Sequence, residues 1–415
     1  MKNSKRSSKI VGAIVVAILL PLTLSGLMVI ETSGQEVERA ESLIAQIDAA
    51  RIEAPEDVFN PFVPAWSGSV GTIGAALEHL FIVNLHTGEF IPWVAERYEY
   101  NDDFTEFTVF LREGVEWSDG EPYTADDVVF SYEIIMENPA VMQHAGVLAM
   151  VESVEKIDDL MVKFHLKTSN ARFHLAQDAF SVGRIVQGVP IVPKHIWEKE
   201  DPLTFRNYPP LFSGPYKLKS VTETEFVWER RDDWWGTKVF GVRPGPKYLI
   251  WKAIALEETV AMMLTKHEID SIARMSTGLM ADVKAKNPYM VTFLKDKPYQ
   301  WFDPCPTHLH PNFLRYPFNI TEVRRAISYM VDRDELVEVG LEFGSRPTKY
   351  PVPEYGGMIP FFEAIDSFLK DYKPLEYSPA KAKALLESVG FTMGGDGIWV
   401  MPNGQRFSIT LTVHE

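Results

Sequence analysis

Between residues 104 and 135 the hydrophobic period changes once, and that change limits the chain to folds that set strands and helices side by side. Residues 104–111 (FTEFTVFL) alternate apolar and polar side chains, the period of a half-buried strand, and Arg112, Glu113 and Gly114 close it with a turn. Ser118, Asp119 and Gly120 mark another turn. Thr124 then stands three residues before Asp127, and Val128, Val129, Tyr132 and Ile135 fall on one helical stripe, so a capped helix is predicted to start there. A second capped helix is predicted after Asn319, where Glu322 lies three residues on and Val323, Ile327, Met330 and Val331 share a face. A third begins at Ser378 with Pro379 in its first turn and ends near Gly390.

The first hundred residues read differently. Lys2, Lys5, Arg6 and Lys9 precede an uncharged apolar run over 10–30, the layout of an export segment. Its length suits a cleaved signal peptide and an uncleaved membrane anchor alike. No cysteine follows the run, so a thioether-linked lipid is excluded, and the basic flank leaves everything after about Glu31 outside the cytoplasm. Residues 35–54 (QEVERAESLIAQIDAARIEA) are polar and helix-forming and read as a tether, with the folded body opening at Pro55. Prolines make 58–64 (VFNPFVP) an extended segment running into the loop 66–71 (WSGSVG), and helical spacing returns over 74–81.

Charge and motif content narrow the function. A net charge of -16 repels nucleic acid and anionic bilayer faces. Cys305 is the single cysteine, so no intrachain disulfide forms. With His308 and His310 it makes C-x-x-H-x-H, but no fourth ligand is evident and flanking prolines favour a solvated loop, so no metal or other cofactor is expected. No G-x-S-x-G, H-E-x-x-H or phosphate-cradling glycine loop is present, and Asp119, Asp126, Asp127, Asp332 and Asp334 sit where turns and helix starts use carboxylates. Neither an enzyme nor an ATP-binding chain is expected.

Residues 111–133 (LREGVEWSDGEPYTADDVVFSYE) resemble, almost residue for residue, the signature of the family 5 extracellular solute-binding proteins, the peptide, nickel and oligosaccharide receptors of ABC importers. Residues 213–218 (SGPYKL), 318–337 (FNITEVRRAISYMVDRDELV), 377–391 (YSPAKAKALLESVGF) and the hairpin-like 395–411 resemble further blocks of that family. The resemblance implies an α/β, bilobal periplasmic-binding-protein-like fold of the class II type with an extra domain. It places lobe I at 55–75 and 205–285, the extra domain at 76–204 and lobe II at 286–415. Family chains continue beyond the hairpin, so it also implies a second lobe truncated at the C-terminus. The acidic residue with which peptide receptors commonly hold the ligand's amine would then lie beyond Glu415.

Aromatic residues are the expected ligand platform, since 10 tryptophans and 15 tyrosines supply flat, partly polar surfaces suited to peptides and sugars alike. Loops such as that of Trp66 line the interlobe cleft in the family. Ser213 and Tyr216 belong to its Gly-Pro-Tyr block, and Trp301 and Asp303 fall where a strand reaches the cleft. Asp303 stands where the family often has asparagine and would bond a ligand hydroxyl or amine. Trp234 and Trp235 resemble a family turn in which one ring is usually structural, and a structural role is expected here. The implied partners are an oligopeptide or an oligosaccharide, a permease with its ATPases, and the membrane if the N-terminal segment is uncleaved. A ligand-binding sensor is the remote alternative.

Overall fold

The computed structural model describes residues 29–412 apart from 33–34, 53–54, 85–86, 88, 177–179, 181–187, 273, 298, 300–306, 341–344, 352–353, 355 and 371–372. The export run lies outside the described residues except for Val29 and Ile30, which enter strand β1 (Val29–Thr32), paired antiparallel with β2 (Gln35–Glu38). None of the helices among the described residues is long and apolar enough to cross a membrane.

The tether expected over 35–54 is corrected by the structure. Ser42–Ile47 forms strand β3, whose Ile44 is buried. Asp270 holds its outer edge, accepting from the Ile44 amide at 2.8 Å and from Arg39 at 2.6 Å. The helical turn that follows spans Gly68–Ala76 rather than 74–81, and Phe81 opens strand β4 (Phe81–Asn84), a hairpin partner of β5 (Glu89–Pro92).

The alternating segment is strand β7 (Glu106–Leu111), flanked by β6 (Ala95–Tyr100). The predicted helix follows as α1 (Ala125–Glu137), and α2 (His144–Met150) leads into β8 (Val151–Asp158) and β9 (Met161–Leu166). These strands make an antiparallel sheet in the order β6-β7-β9-β8. Its inward residues Phe107, Val109, Val162 and Phe164 are fully buried, in one core with Val128, Tyr132 and Ile135 of α1. Asp127 is more than a cap: its carboxylate accepts from the Thr124 amide (2.8 Å), the Trp117 indole (3.2 Å) and the amide of Lys194 (2.8 Å), which opens α3 (Lys194–Trp197).

The second sheet takes β3 and three later strands, β10 (Tyr216–Thr222), β11 (Glu225–Arg230) and β12 (Tyr248–Ala253), in the order β10-β11-β12-β3; helix α4 (Trp235–Phe240) lies between β11 and β12. Only the β12–β3 pair is parallel. In β11 the residues alternate between two cores and are buried on both faces, as a central strand covered on both sides requires. Val227 faces α5 (Glu257–Thr265) and α6 (Thr277–Lys286), whereas Phe226 and Trp228 face the segment 59–77.

Helix α7 (Thr321–Tyr329) begins two residues after Asn319, with Ile320 at the cap position and no side-chain cap. Short α8 (Arg333–Glu335) and α9 (Ile359–Asp366) precede α10 (Pro379–Ser388), whose start matches the expectation: Ser378 Oγ accepts from the Lys381 amide and Pro379 holds the first turn. Val323, Ala326 and Tyr329 of α7 pack on Ala382 and Leu386 of α10 and on Phe391. The small hairpin β13 (Thr392–Met393) and β14 (Trp399–Val400) closes that cluster.

Candidate ligand-binding site

The segment carrying Trp66 is rigid because its polar groups are spent internally. Phe59 and Phe62 are fully buried anchors. Asn60 donates to the carbonyls of Pro202 (2.8 Å) and Phe205 (2.7 Å) and accepts from the Phe62 amide (2.9 Å). Past Trp66, Ser67 donates to the Pro55 carbonyl and Thr72 to the Ser67 carbonyl. Trp228, from the sheet below, donates to the Val70 carbonyl at 2.8 Å. Gly71 makes this seat possible. Its φ of +102° suits glycine, and a Cβ there would stand 2.6 Å from both the Trp228 Nε1 and the Trp251 ring.

Trp66 itself is half-buried, its ring lying over Gly68, where a Cβ would meet it at 2.8 Å. With Ile73, His79, Met142, Gln143 and Pro190 it lines a recess of about 110 Å³ between this loop and the α1–α2 connection. A larger recess of about 520 Å³ is bordered by Lys349, Asp366, Lys373 and Glu376, but Lys349 is already paired with Asp366 at 2.7 Å and no aromatic side chain among the described residues lines it.

Ser213 and Tyr216 are not open to a ligand in the way the sequence suggested. Ser213 is 1% exposed, and its carbonyl accepts from Arg231 at 3.2 Å. The adjoining Gly214 amide donates to the Ala76 carbonyl at 2.8 Å, so this point clasps β10 to the Trp66 segment. Tyr216 is buried and donates its hydroxyl to the Pro246 carbonyl at 2.8 Å. Trp301, Asp303 and Cys305 lie outside the described residues. His308 and His310 stand with ring centroids 5.2 Å apart, and no group of metal-ligating side chains occurs among the described residues.

Two neighbouring residues escaped the sequence reading. Glu78 is buried and takes all three nearby indoles: Trp93 (3.1 Å) and Trp234 (3.2 Å) on Oε1, Trp235 (2.7 Å) on Oε2. Burial pushes its carboxyl pKa up, against the opposing pull of these hydrogen bonds. Trp234 and Trp235 thus serve as structural rings. His79, the residue after Glu78, lines the recess. Its two ring nitrogens are buried and have no partner among the described residues, and burial pulls its pKa down to about 4. Nothing in local periodicity distinguishes either residue from an ordinary surface Glu-His pair.

The His79 shift has a stability consequence. Between about pH 6.5 and 4 the unfolded chain holds a proton on this imidazole that the folded chain refuses. Folding free energy therefore drops as pH falls through that window, by up to about 3 kcal/mol, and is unaffected above it. In unfolding measurements from pH 7.5 to 4.5, His79→Phe should lose less stability than the parent; parallel curves would refute the assignment.

Comparison with known proteins agrees with this architecture. The family model for bacterial extracellular solute-binding proteins, family 5 Middle, matches residues 89–414. The chain is 25% identical over 398 residues to the dipeptide-binding protein of Escherichia coli (strain K12), covering 87% of this chain and 68% of that protein. It is 27% identical over 327 residues to the oligopeptide-binding protein AppA of Bacillus subtilis (strain 168), covering 78% and 55%. Among solved structures, a periplasmic oligopeptide-binding protein of an oligopeptide ABC transporter from Thermotoga maritima superposes with a TM-score of 0.75 at 29% identity, over 89% of this chain and 66% of that one. The same protein bound to mannohexaose gives a TM-score of 0.71. The chain thus spans between about half and two thirds of the length of these relatives. With the strand, turn and capped helix of 106–137 inside the matched region, the chain belongs to the bacterial extracellular solute-binding proteins, family 5.

Proposed function

We propose that the protein is the extracytoplasmic receptor of an ABC importer, capturing oligopeptides and delivering them to a permease driven by cytoplasmic ATPases. The similarity to a dipeptide-binding protein over 87% of the chain carries this reading. Trp66 is the contact residue among the described candidates, on a loop held rigid enough to present a flat ring without a large ordering cost. Ser213 and Tyr216 support that loop and its sheet, and Trp301 and Asp303 are further contacts. Solute binding favours a closed arrangement of the lobes over an open one by a shift of population. The N-terminal apolar run directs export, as a cleaved signal or as an anchor.

Oligosaccharide capture is the second reading, favoured by the mannohexaose-bound relative at 29% identity. Thermal unfolding of the full chain against di- to pentapeptides and oligosaccharides separates the two. A solute at a hundred times its Kd adds about 2.7 kcal/mol to stability, a shift of roughly 3 °C for a chain of this size. Trp66→Ala is expected to weaken that solute tenfold or more. If no peptide or saccharide at millimolar concentration shifts the midpoint, the receptor reading fails.

A further inference from the structure

Unsatisfied polar atoms gather at one place in the recess beside Trp66. His79 Nδ1 and Nε2 and Gln143 Oε1 are buried and have no partner among the described residues, and both side chains line that recess. Buried polar groups in native proteins nearly always find partners, so three such atoms on two side chains of one recess call for a partner there, reached by a small side-chain shift.

The chemistry of that group follows from the atoms waiting for it. Burial keeps the imidazole uncharged at neutral pH, so it offers one donor and one acceptor, while the carboxamide oxygen offers an acceptor. The incoming group must therefore both donate and accept. It must also be uncharged, because none of the described residues lining the recess carries a charge to balance one. The remaining described walls are apolar, with Ile73, Met142 and Pro190 lining the recess alongside the indole of Trp66. At about 110 Å³ the space is smaller than the ~150 Å³ cavity that admits benzene, and it accepts a ring edge or a short side chain.

We infer that this recess is a subsite for an uncharged hydroxyl- or carboxamide-bearing group of the solute, bonded by His79 and Gln143 and walled by Trp66. The inference rests on the solute-binding reading and adds a selection rule to it. A hydroxyl that donates to Gln143 Oε1 and accepts from the imidazole N–H satisfies one atom on each side chain, and a primary amide does the same. Two sources present that chemistry, the hydroxylated edge of a sugar unit and a serine, threonine or asparagine side chain of a peptide. Ammonium and carboxylate groups are rejected because each would be stripped of water without a counter-charge.

The test uses the full chain labelled with 15N-histidine, the His79 ring signals being identified by their loss in His79→Phe. Cellobiose, Ala-Ser-Ala and Ala-Asn-Ala are titrated against Ala-Lys-Ala and Ala-Glu-Ala, with unfolding midpoints recorded in parallel. The expected result is saturable movement of the His79 signals with at least one uncharged probe. Gln143→Leu and His79→Phe should each weaken that probe about tenfold, the loss of one hydrogen bond, and the charged peptides should bind at least tenfold more weakly than Ala-Ser-Ala or Ala-Asn-Ala if a peptide is the source. Movement with cellobiose alone assigns the sugar source, and movement with the uncharged peptides alone assigns the side chain. A probe that raises the midpoint, leaves the His79 signals still and binds both variants like the parent overturns the subsite while the receptor reading stands. Conversely, if no oligomer raises the midpoint but methyl glucoside or N-acetylserinamide moves the His79 signals, the subsite stands and the receptor reading fails. Silence toward every probe overturns both.

Discussion

Replacing Glu78 with alanine should lower the unfolding midpoint by roughly 5 °C. Its carboxylate is the shared acceptor of Trp93, Trp234 and Trp235, so truncation strands three indole N–H groups, those of Trp234 and Trp235 buried and that of Trp93 partly so. Each buried donor left unmet costs about 1–3 kcal/mol, and the vacated volume adds to that, so a total of about 4 kcal/mol is reasonable after partial relaxation. For a chain of this size that free energy corresponds to about the stated shift. Glu78→Gln should cost less, because the amide retains one acceptor oxygen, although its NH2 then faces an indole donor. Thermal unfolding of the three proteins in one buffer checks the order. An alanine variant that melts with the parent would show that the indoles find other partners, and the carboxylate would lose its structural role. The consequence reaches the ligand site, because His79 is the next residue and lines the recess beside Trp66.

Gly71→Ala is the second large effect, expected to cost about 3 kcal/mol or more and to weaken solute binding as well. Two separate penalties meet there. A non-glycine residue at φ +102° is strained by about 1–3 kcal/mol, and the new Cβ would collide with Trp228 and Trp251 at 2.6 Å. Both rings belong to the second sheet, so relief requires the loop to rise, which breaks the Trp228 to Val70 hydrogen bond and moves Trp66. Gly120→Ala is the control: Gly120 also has a positive φ, of +92°, but open space around it, so only the backbone penalty of about 1–3 kcal/mol applies, without the collision. Urea unfolding and solute titration of both variants decide it. Equal costs at the two positions would mean that the close approach at Gly71 carries no energy.

Elements set by contiguous residues were legible without coordinates. The alternation in β7, the carboxylate at the start of α1 and the Ser378-Pro379 entry to α10 are local signals, and the structure places each where its pattern put it. Family membership was legible for the same reason, since the 111–133 block joins strand, turn and helix within one short stretch. At Asn319 a local signal misled: Glu322 three residues on suggested a capping box, yet the helix starts at Thr321, and Arg324 fastens this corner by donating to the Phe318 carbonyl and the Thr321 hydroxyl.

What the sequence determined by itself is therefore the periodicity, the turns, two of the helix starts, the acidic charge and the family. The tertiary structure alone decided that residues 42–47 form a strand rather than a tether, because their partner is β12, some two hundred residues away, and SLIAQI has no local preference strong enough to announce a parallel pairing. It alone showed that the ligand-binding candidates Ser213 and Tyr216 are buried supports, and made Glu78 the acceptor of three indoles. It alone set His79 and Gln143 on one recess with Trp66. The physical reason is common to all of these: a side chain's burial and its hydrogen-bond partners are properties of the segments packed around it, and those segments come from distant parts of the chain.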